Sequence, residues 1–225
     1  MRTIKGAQIA LFLALFLLIV LLALFTTEVL LGPLALGDFR GVVLVAAALL
    51  LIYLYAMLVY RIVLYRLPLR EGVVAEHTPE ETIANLNILF YLLLFNSLIR
   101  THFIPVPLLR LIYLGLGARL GSNTYCAGVM LDPPLTQIGS NSIVGHDAVI
   151  FAHVIEGDKL ELRRVRIGSH VTIGATAVIM AGVTIGDRAI ISAGAVVTKD
   201  SQIGADEVWG GIPARRLKSL ADKTS

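Results

Sequence analysis

Three histidines in the C-terminal half are the side chains best suited to moving protons. His146 stands in "IVGHDAVI", His153 in "FAHVIEGD" and His170 in "IGSHVTIG". A neutral imidazole titrates near working pH and can take a proton from an attacking hydroxyl or amine. His146 and His170 each lie shortly after an aliphatic residue, in a turn. His153 stands where a regular pattern breaks off. Glu156 follows it closely, and a carboxylate near an imidazole can fix its tautomer. Cys126 is the only cysteine, which rules out an intrachain disulfide and a cysteine-rich metal site.

The pattern that holds these residues has a period of six. Leu120, Cys126, Asp132, Ile138, Val144 and Ile150 share one frame, and Ile167, Ile173, Ile179, Ile185, Ile191, Val197 and Ile203 share another. Eleven residues, Glu156 to Arg166, fall out of frame between them. A helix repeats near 3.6 residues and a strand near 2, so neither accounts for six. A parallel β-helix does: each hexad forms one side of a triangular prism, and three hexads close a coil. Residues 18 apart then stack, Leu120 under Ile138 and Ile167 under Ile185, for about four coils. The frame turns Cys126 inward as a packing residue. Glycines after the aliphatic positions, and the small residues, are expected to let the chain turn at the prism edges without a side-chain clash, and the out-of-frame segment must loop out.

The N-terminal part is of a different kind. The chain has 225 residues, 56% of them hydrophobic, and a mean hydropathy of +0.81. Ile9 to Thr27 and Gly41 to Tyr60 carry no charge, and each is close to the ~20 residues that cross a bilayer. The first run is longer than a signal peptide's apolar core and has no cleavage-like site after it. Arg2 and Lys5 precede the first span and Arg61, Arg66 and Arg70 follow the second, so both ends are expected in the cytoplasm. The net charge of +3 calls for no nucleic-acid partner, and the basic residues after the second span suit anionic headgroups. Thr78, Pro79, Glu80 and Glu81 read as a helix start, with the helix ending near Arg100. Its asparagines (Asn85, Asn87, Asn96) make it a poor lone span, so it either lies in the cytoplasmic membrane face or packs as a neck on the C-terminal domain. The organisation expected is a transmembrane hairpin over 1–70, a membrane-associated helical linker over 71–119 and a β-helix over 120–225.

The segments "IGATAVIMAGVTIGDRAIISAGAVVTKD" and "GGIPARRLK" resemble the hexapeptide-repeat acyltransferases, left-handed β-helix enzymes. "AHVIEGDKLELRRVRIG" resembles the β-helix portion of membrane-bound poly-lysine synthetases. The resemblance implies a left-handed helix, a trimer with its sites between adjacent prisms, and His153 as general base. It leaves Glu156 either as a holder of His153 or as a solvated loop acid, and His146 either as a group that orients the acceptor or as a solvated turn residue. It places Ala175, Ala193, Thr198, Lys199, Arg215 and Lys218 along a coenzyme A track, the small residues freeing backbone groups and the cations offsetting phosphates. Val154 stands where the family often has proline, and Ile212 where it has asparagine.

The function expected is a membrane-anchored acyltransferase moving an acetyl group from acetyl-CoA to a hydroxyl or amine of an amphiphile, such as a lipid-linked sugar. It would be a homotrimer of the inner cell membrane with its catalytic domain on the cytoplasmic side. No metal is expected: the spacings of His146, His153 and His170 do not resemble the zinc-binding pattern of the β-helix carbonic anhydrases. The remaining alternative is a membrane-tethered β-helix scaffold without catalysis.

Overall fold

The computed structural model describes residues 3–101 and 103–220. Arg2, counted above among the charges before the first span, lies outside them.

Two long helices open the chain, α1 (Gly6–Leu31) and α2 (Arg40–Arg66). α1 is apolar all round, the pattern of a core helix or of a membrane span. A third helix, α3 (Pro79–Arg100), starts as the sequence predicts: Thr78 accepts a hydrogen bond from the Glu81 backbone amide at 3.3 Å, and Pro79 fills the first position. Among the described residues, Gly6–Leu31, Gly37–Arg66 and Pro79–Arg100 are long and apolar enough to cross a membrane.

Three polar residues of α3, Glu81, Asn85 and Asn87, are turned inward and paired, whereas Asn96 is half-buried and accepts a hydrogen bond from the exposed Arg100. Asn85 donates to Gln8 of α1 at 2.9 Å, and Asn87 accepts from the Tyr60 hydroxyl of α2 at 2.6 Å. Lys5 pairs with the buried Glu81 at 2.7 Å. Around these contacts Phe90 sits edge-on to Phe12, ring centres 5.3 Å apart, and leans on Tyr60 at 5.8 Å. Burying an amide costs little when its hydrogen bonds are remade, so the asparagines join α3 to the first two helices. α3 also touches the C-terminal domain through Asn87, so it packs against both neighbours at once. A short helix, α4 (Val106–Gly115), leads into that domain, its Tyr113 hydroxyl donating to the Gly128 carbonyl at 2.7 Å.

From Arg119 onward the chain winds through three parallel sheets, four complete coils and a partial fifth, the arrangement of a left-handed β-helix. The register is the one the period predicts: Ile167 pairs with Ile185, Ile173 with Ile191 and Ile179 with Val197. Ile138 pairs with Ile167, the eleven looped-out residues adding to the usual 18. The inward aliphatic residues are almost wholly buried, as are Ala148, Ala177, Ala189 and Ala195 beside them. Each such isoleucine contributes ~1.5–3 kcal/mol by leaving water. Cys126 lies in this core at 0% exposure, and burial pushes its thiol up to about 12, so it packs and does not react. Glu207–Gly210 and Arg215–Ser219 pair antiparallel and close the last turn of the second sheet.

Three features refine or correct the sequence reading. First, the glycines after the aliphatic positions spare a clash, as expected, and do so without positive φ: a Cβ on Gly145 would lie 2.6 Å from the Ala175 amide nitrogen of the next coil. The left-handed residues come two positions later, at Asn141, Asp147, His170 and Thr176. Second, the frame slips in the first coil. Met130, not Asp132, pairs with Ile150; Asp132 follows that strand, just before a 3-10 turn over Pro133–Leu135 that leads to the next coil. Third, the polar stretch after α2 contains a strand, Gly72–Val74, which joins the looped-out hairpin (His153–Glu156 and Lys159–Leu162) as its third strand.

Candidate active site

The prism has three edges, and the candidate residues divide between two of them, flanking the sheet that contains Val149–Ile150, Val178–Ile179 and Val196–Val197. The edge entering this sheet carries His146, Ala175 and Ala193 on successive coils. The Thr176 amide donates to the His146 carbonyl, and the Gly194 amide to the Ala175 carbonyl, each at 2.9 Å. The edge leaving it carries His153 at the hairpin takeoff, then Thr198 and Lys199 two coils on. His170 stands at the third edge, its ring 3.5 Å from Asn141.

At the hairpin takeoff the imidazole meets a carboxylate. His153 Nδ1 donates to Asp132 Oδ2 at 2.6 Å, and the same oxygen accepts the Ala152 amide at 2.9 Å. Asp132 is 1% exposed and His153 a quarter exposed. With Nδ1–H committed to the carboxylate, Nε2 keeps its lone pair for a substrate proton. Burial works against the charged imidazole, but the hydrogen bond and charge of Asp132 outweigh it and raise the pKa above the ordinary histidine value. A shallow depression of about 250 Å³ adjoins the ring, lined by Phe151, Val154, Ile155 and Met180.

Asp132 is held from the helical side as well. Asn87 Nδ2 lies 3.4 Å from Asp132 Oδ1, and Asn87 accepts the Tyr60 hydroxyl. A buried line thus runs from α2 through α3 to the carboxylate and the imidazole. Sequence reasoning missed Asp132 as a site residue. The available signal was an acid in an aliphatic slot of the hexad frame, followed by two prolines.

The other candidates lie elsewhere. Glu156 is not the acid on His153: it is exposed near the hairpin tip and takes Lys199 Nζ at 3.0 and 3.1 Å. The Lys199 charge is therefore already partly offset, with Glu161 a further 3.8 Å contact. His146 is exposed and sits 3.3 Å from Asp147. Thr198, Ala175 and Ala193 are exposed. Arg215 and Lys218 project from the final strand, and among the described residues Arg215 has no carboxylate partner. Among the described residues, no three of His, Cys, Asp and Glu gather closely enough to hold a metal ion.

A β-helix of hexads with a histidine–carboxylate pair at one edge defines a broad class. Residues 164–199 match the bacterial transferase hexapeptide (six repeats) family. Over 84 residues the chain is 42% identical to the 2,3,4,5-tetrahydropyridine-2,6-dicarboxylate N-acetyltransferase of Staphylococcus aureus (strain JH9), covering 37% of this chain and 33% of that one. Over 88 residues it is 34% identical to the mitochondrial gamma carbonic anhydrase 2 of Arabidopsis thaliana, covering 39% and 27%. Among solved structures, the hexapeptide-repeat acetyltransferase VCA0836 of Vibrio cholerae O1 biovar eltor, complexed with acetyl coenzyme A, aligns at a TM-score of 0.44 and 31% identity, covering 47% of this chain and 62% of that one. The chain spans only about a quarter to a third of these two curated relatives.

Proposed function

We propose that the protein is a membrane-anchored, CoA-dependent acyltransferase, with acetyl-CoA as donor and a hydroxyl or amine of an amphiphile, such as a lipid-linked sugar, as acceptor. The observation that carries this reading is the His153–Asp132 pair at the hairpin takeoff of a transferase-type hexapeptide helix. His153 Nε2 takes the acceptor's proton as its oxygen or nitrogen attacks the thioester carbonyl. The tetrahedral intermediate collapses, the C–S bond breaks, and the CoA sulfur recovers the proton from the imidazolium. Asp132 holds the ring and steadies its positive charge through the cycle. The apolar depression beside His153 suits an amphiphilic acceptor.

The division of candidates between two edges supports a homotrimer. On one prism the His146–Ala175–Ala193 edge and the His153–Lys199 edge flank a whole sheet. Packing the edge of one copy against the other edge of its neighbour would bring coenzyme track and base together. Arg215 and Lys218 then serve the phosphates, and Lys199 serves them by exchanging Glu156 for phosphate. Calorimetry with acetyl-CoA should show Arg215→Glu weakening binding more than Lys199→Ala, because Lys199 is already paired with Glu156 while, among the described residues, Arg215 has no carboxylate partner. Unchanged affinity in both variants would remove this track.

The long apolar helices support a multi-pass protein of the inner cell membrane, with the β-helix on the cytoplasmic side where acetyl-CoA is available. A reporter fused after Ser225 should be active only in the cytoplasm, and one inserted at Pro33 only outside. Swapped signals would overturn this topology.

The gamma carbonic anhydrase match favours a second reading, hydration at a three-histidine zinc site. The spacings of His146, His153 and His170 do not resemble that family's zinc-binding pattern, and residues 164–199 match a transferase family, so acyl transfer is the better fit. The non-catalytic scaffold leaves the buried histidine–carboxylate pair without a purpose.

A further inference from the structure

Between the end of α2 and the first coil lies an open basin of about 440 Å³ whose charged lining consists entirely of arginines: Arg61, Arg119 and Arg164. They come from three separate parts of the chain: α2, the first strand of the β-helix, and the return from the hairpin. Arg164 is bonded at Nε to Glu71, at 3.0 Å. Among the described residues, Arg61 and Arg119 have no carboxylate partner. Arg61 is seated against the backbone: a Cβ on Gly117 would come 2.6 Å from its Nη1, and Gly117 itself has φ +102°. Three guanidinium groups around one cavity repel one another unless an anion lies between them, and their planar forks match phosphate oxygens.

The basin also has an apolar side, with Leu64, Leu69 and Tyr65 in its wall. Arg61 is the first charge after the uncharged run Gly41 to Tyr60, and Tyr65 is 85% exposed. Arginine and tyrosine at the end of an apolar span mark the bilayer surface. The strand that leads to Arg164 is the partner of the His153 strand, Leu162 pairing with His153, so the basin adjoins the edge that carries the base.

We propose that this basin binds the phosphate of a net anionic membrane lipid, one with no cation of its own to offset the charge, seating the headgroup of the amphiphile beside the catalytic edge. The proposal rests on the membrane-anchored reading and adds a specific binding site to it. Arg61 and Arg119 bind the phosphate, Arg164 shares it with Glu71, and Tyr65 with the two leucines receives the start of the lipid chain.

The test uses the full-length protein in phosphatidylcholine nanodiscs, either plain, doped with phosphatidylglycerol, or doped with a polyprenyl diphosphate. Lipid retained through detergent exchange is counted by native mass spectrometry. Wild type should retain one or both anionic dopants at least tenfold over phosphatidylcholine, whose own phosphate is offset by its choline cation, and the better retained dopant identifies the source. Arg61→Gln/Arg119→Gln should lose that preference, whereas Arg66→Gln, outside the basin, should keep it. Arg119→Gln alone, at an exposed strand position, should lose most of it and guards against misfolding of the double variant. Equal retention of all three lipids by wild type would overturn the proposal, as would full preference in both basin variants. Inorganic phosphate that binds the basin with no lipid retained would also overturn it. Acetyl-CoA binding, measured on the same samples, reports on the enzyme reading separately.

Discussion

His153→Ala is expected to lower acyl transfer by about 10² or more at saturating acetyl-CoA, the usual scale for losing a general base. Acetyl-CoA affinity should change little, because the imidazole acts on the acceptor's proton. The wild-type rate should rise with pH as His153 loses its proton. That limb should sit above the ordinary histidine value, because Asp132 outweighs the effect of burial. His153→Ala should lose the limb. His146→Ala should cost less and act mainly through acceptor affinity, since His146 stands at the opposite edge of the same sheet. Near wild-type turnover in His153→Ala, with turnover abolished in His146→Ala, would move the base to the other edge.

Asp132→Asn should lower turnover by about 10² or more, toward the ~10⁴ seen when the aspartate that orients a general-base histidine is replaced by asparagine. The amide removes the negative charge that raises the His153 pKa and leaves the burial that depresses it, so the limb of the pH profile should move to lower pH. Asn87→Leu, which cuts the line from α2 to Asp132, should reduce turnover less while acetyl-CoA affinity holds. A purely structural role for Asp132 would lower stability and leave the pH limb in place. The unmoved limb in a folded Asp132→Asn protein would refute the pairing described here.

Much of the scaffold was legible because it is built from neighbour-to-neighbour repeats. Ile167, Ile173 and Ile179 announce their partners by spacing alone, and the start of α3 is encoded within four residues at Thr78. Asp132 was not legible in the same way. The hexad frame treats its position as an inward slot, and only the structure shows the frame slipping to Met130 so that the Asp132 carboxylate meets a histidine one coil away. Glu156 was the nearer acid in sequence, but the hairpin carries it away from His153 toward Lys199. Asn85 and Asn87 looked like defects in an apolar helix because their partners, Gln8 and Tyr60, belong to other helices. The strand Gly72–Val74 has three residues and no periodic signal, and it exists because the looped-out hairpin offers it an edge.

The most direct measurement of the central claim is transfer of label from acetyl-CoA into a membrane lipid extract by the purified full-length protein, run beside His153→Ala. Label should appear in an extractable lipid with wild type and fall about 10² or more with the variant, both proteins binding acetyl-CoA alike. Equal labelling by the two proteins would contradict the account, as would no transfer by a wild-type protein that binds acetyl-CoA.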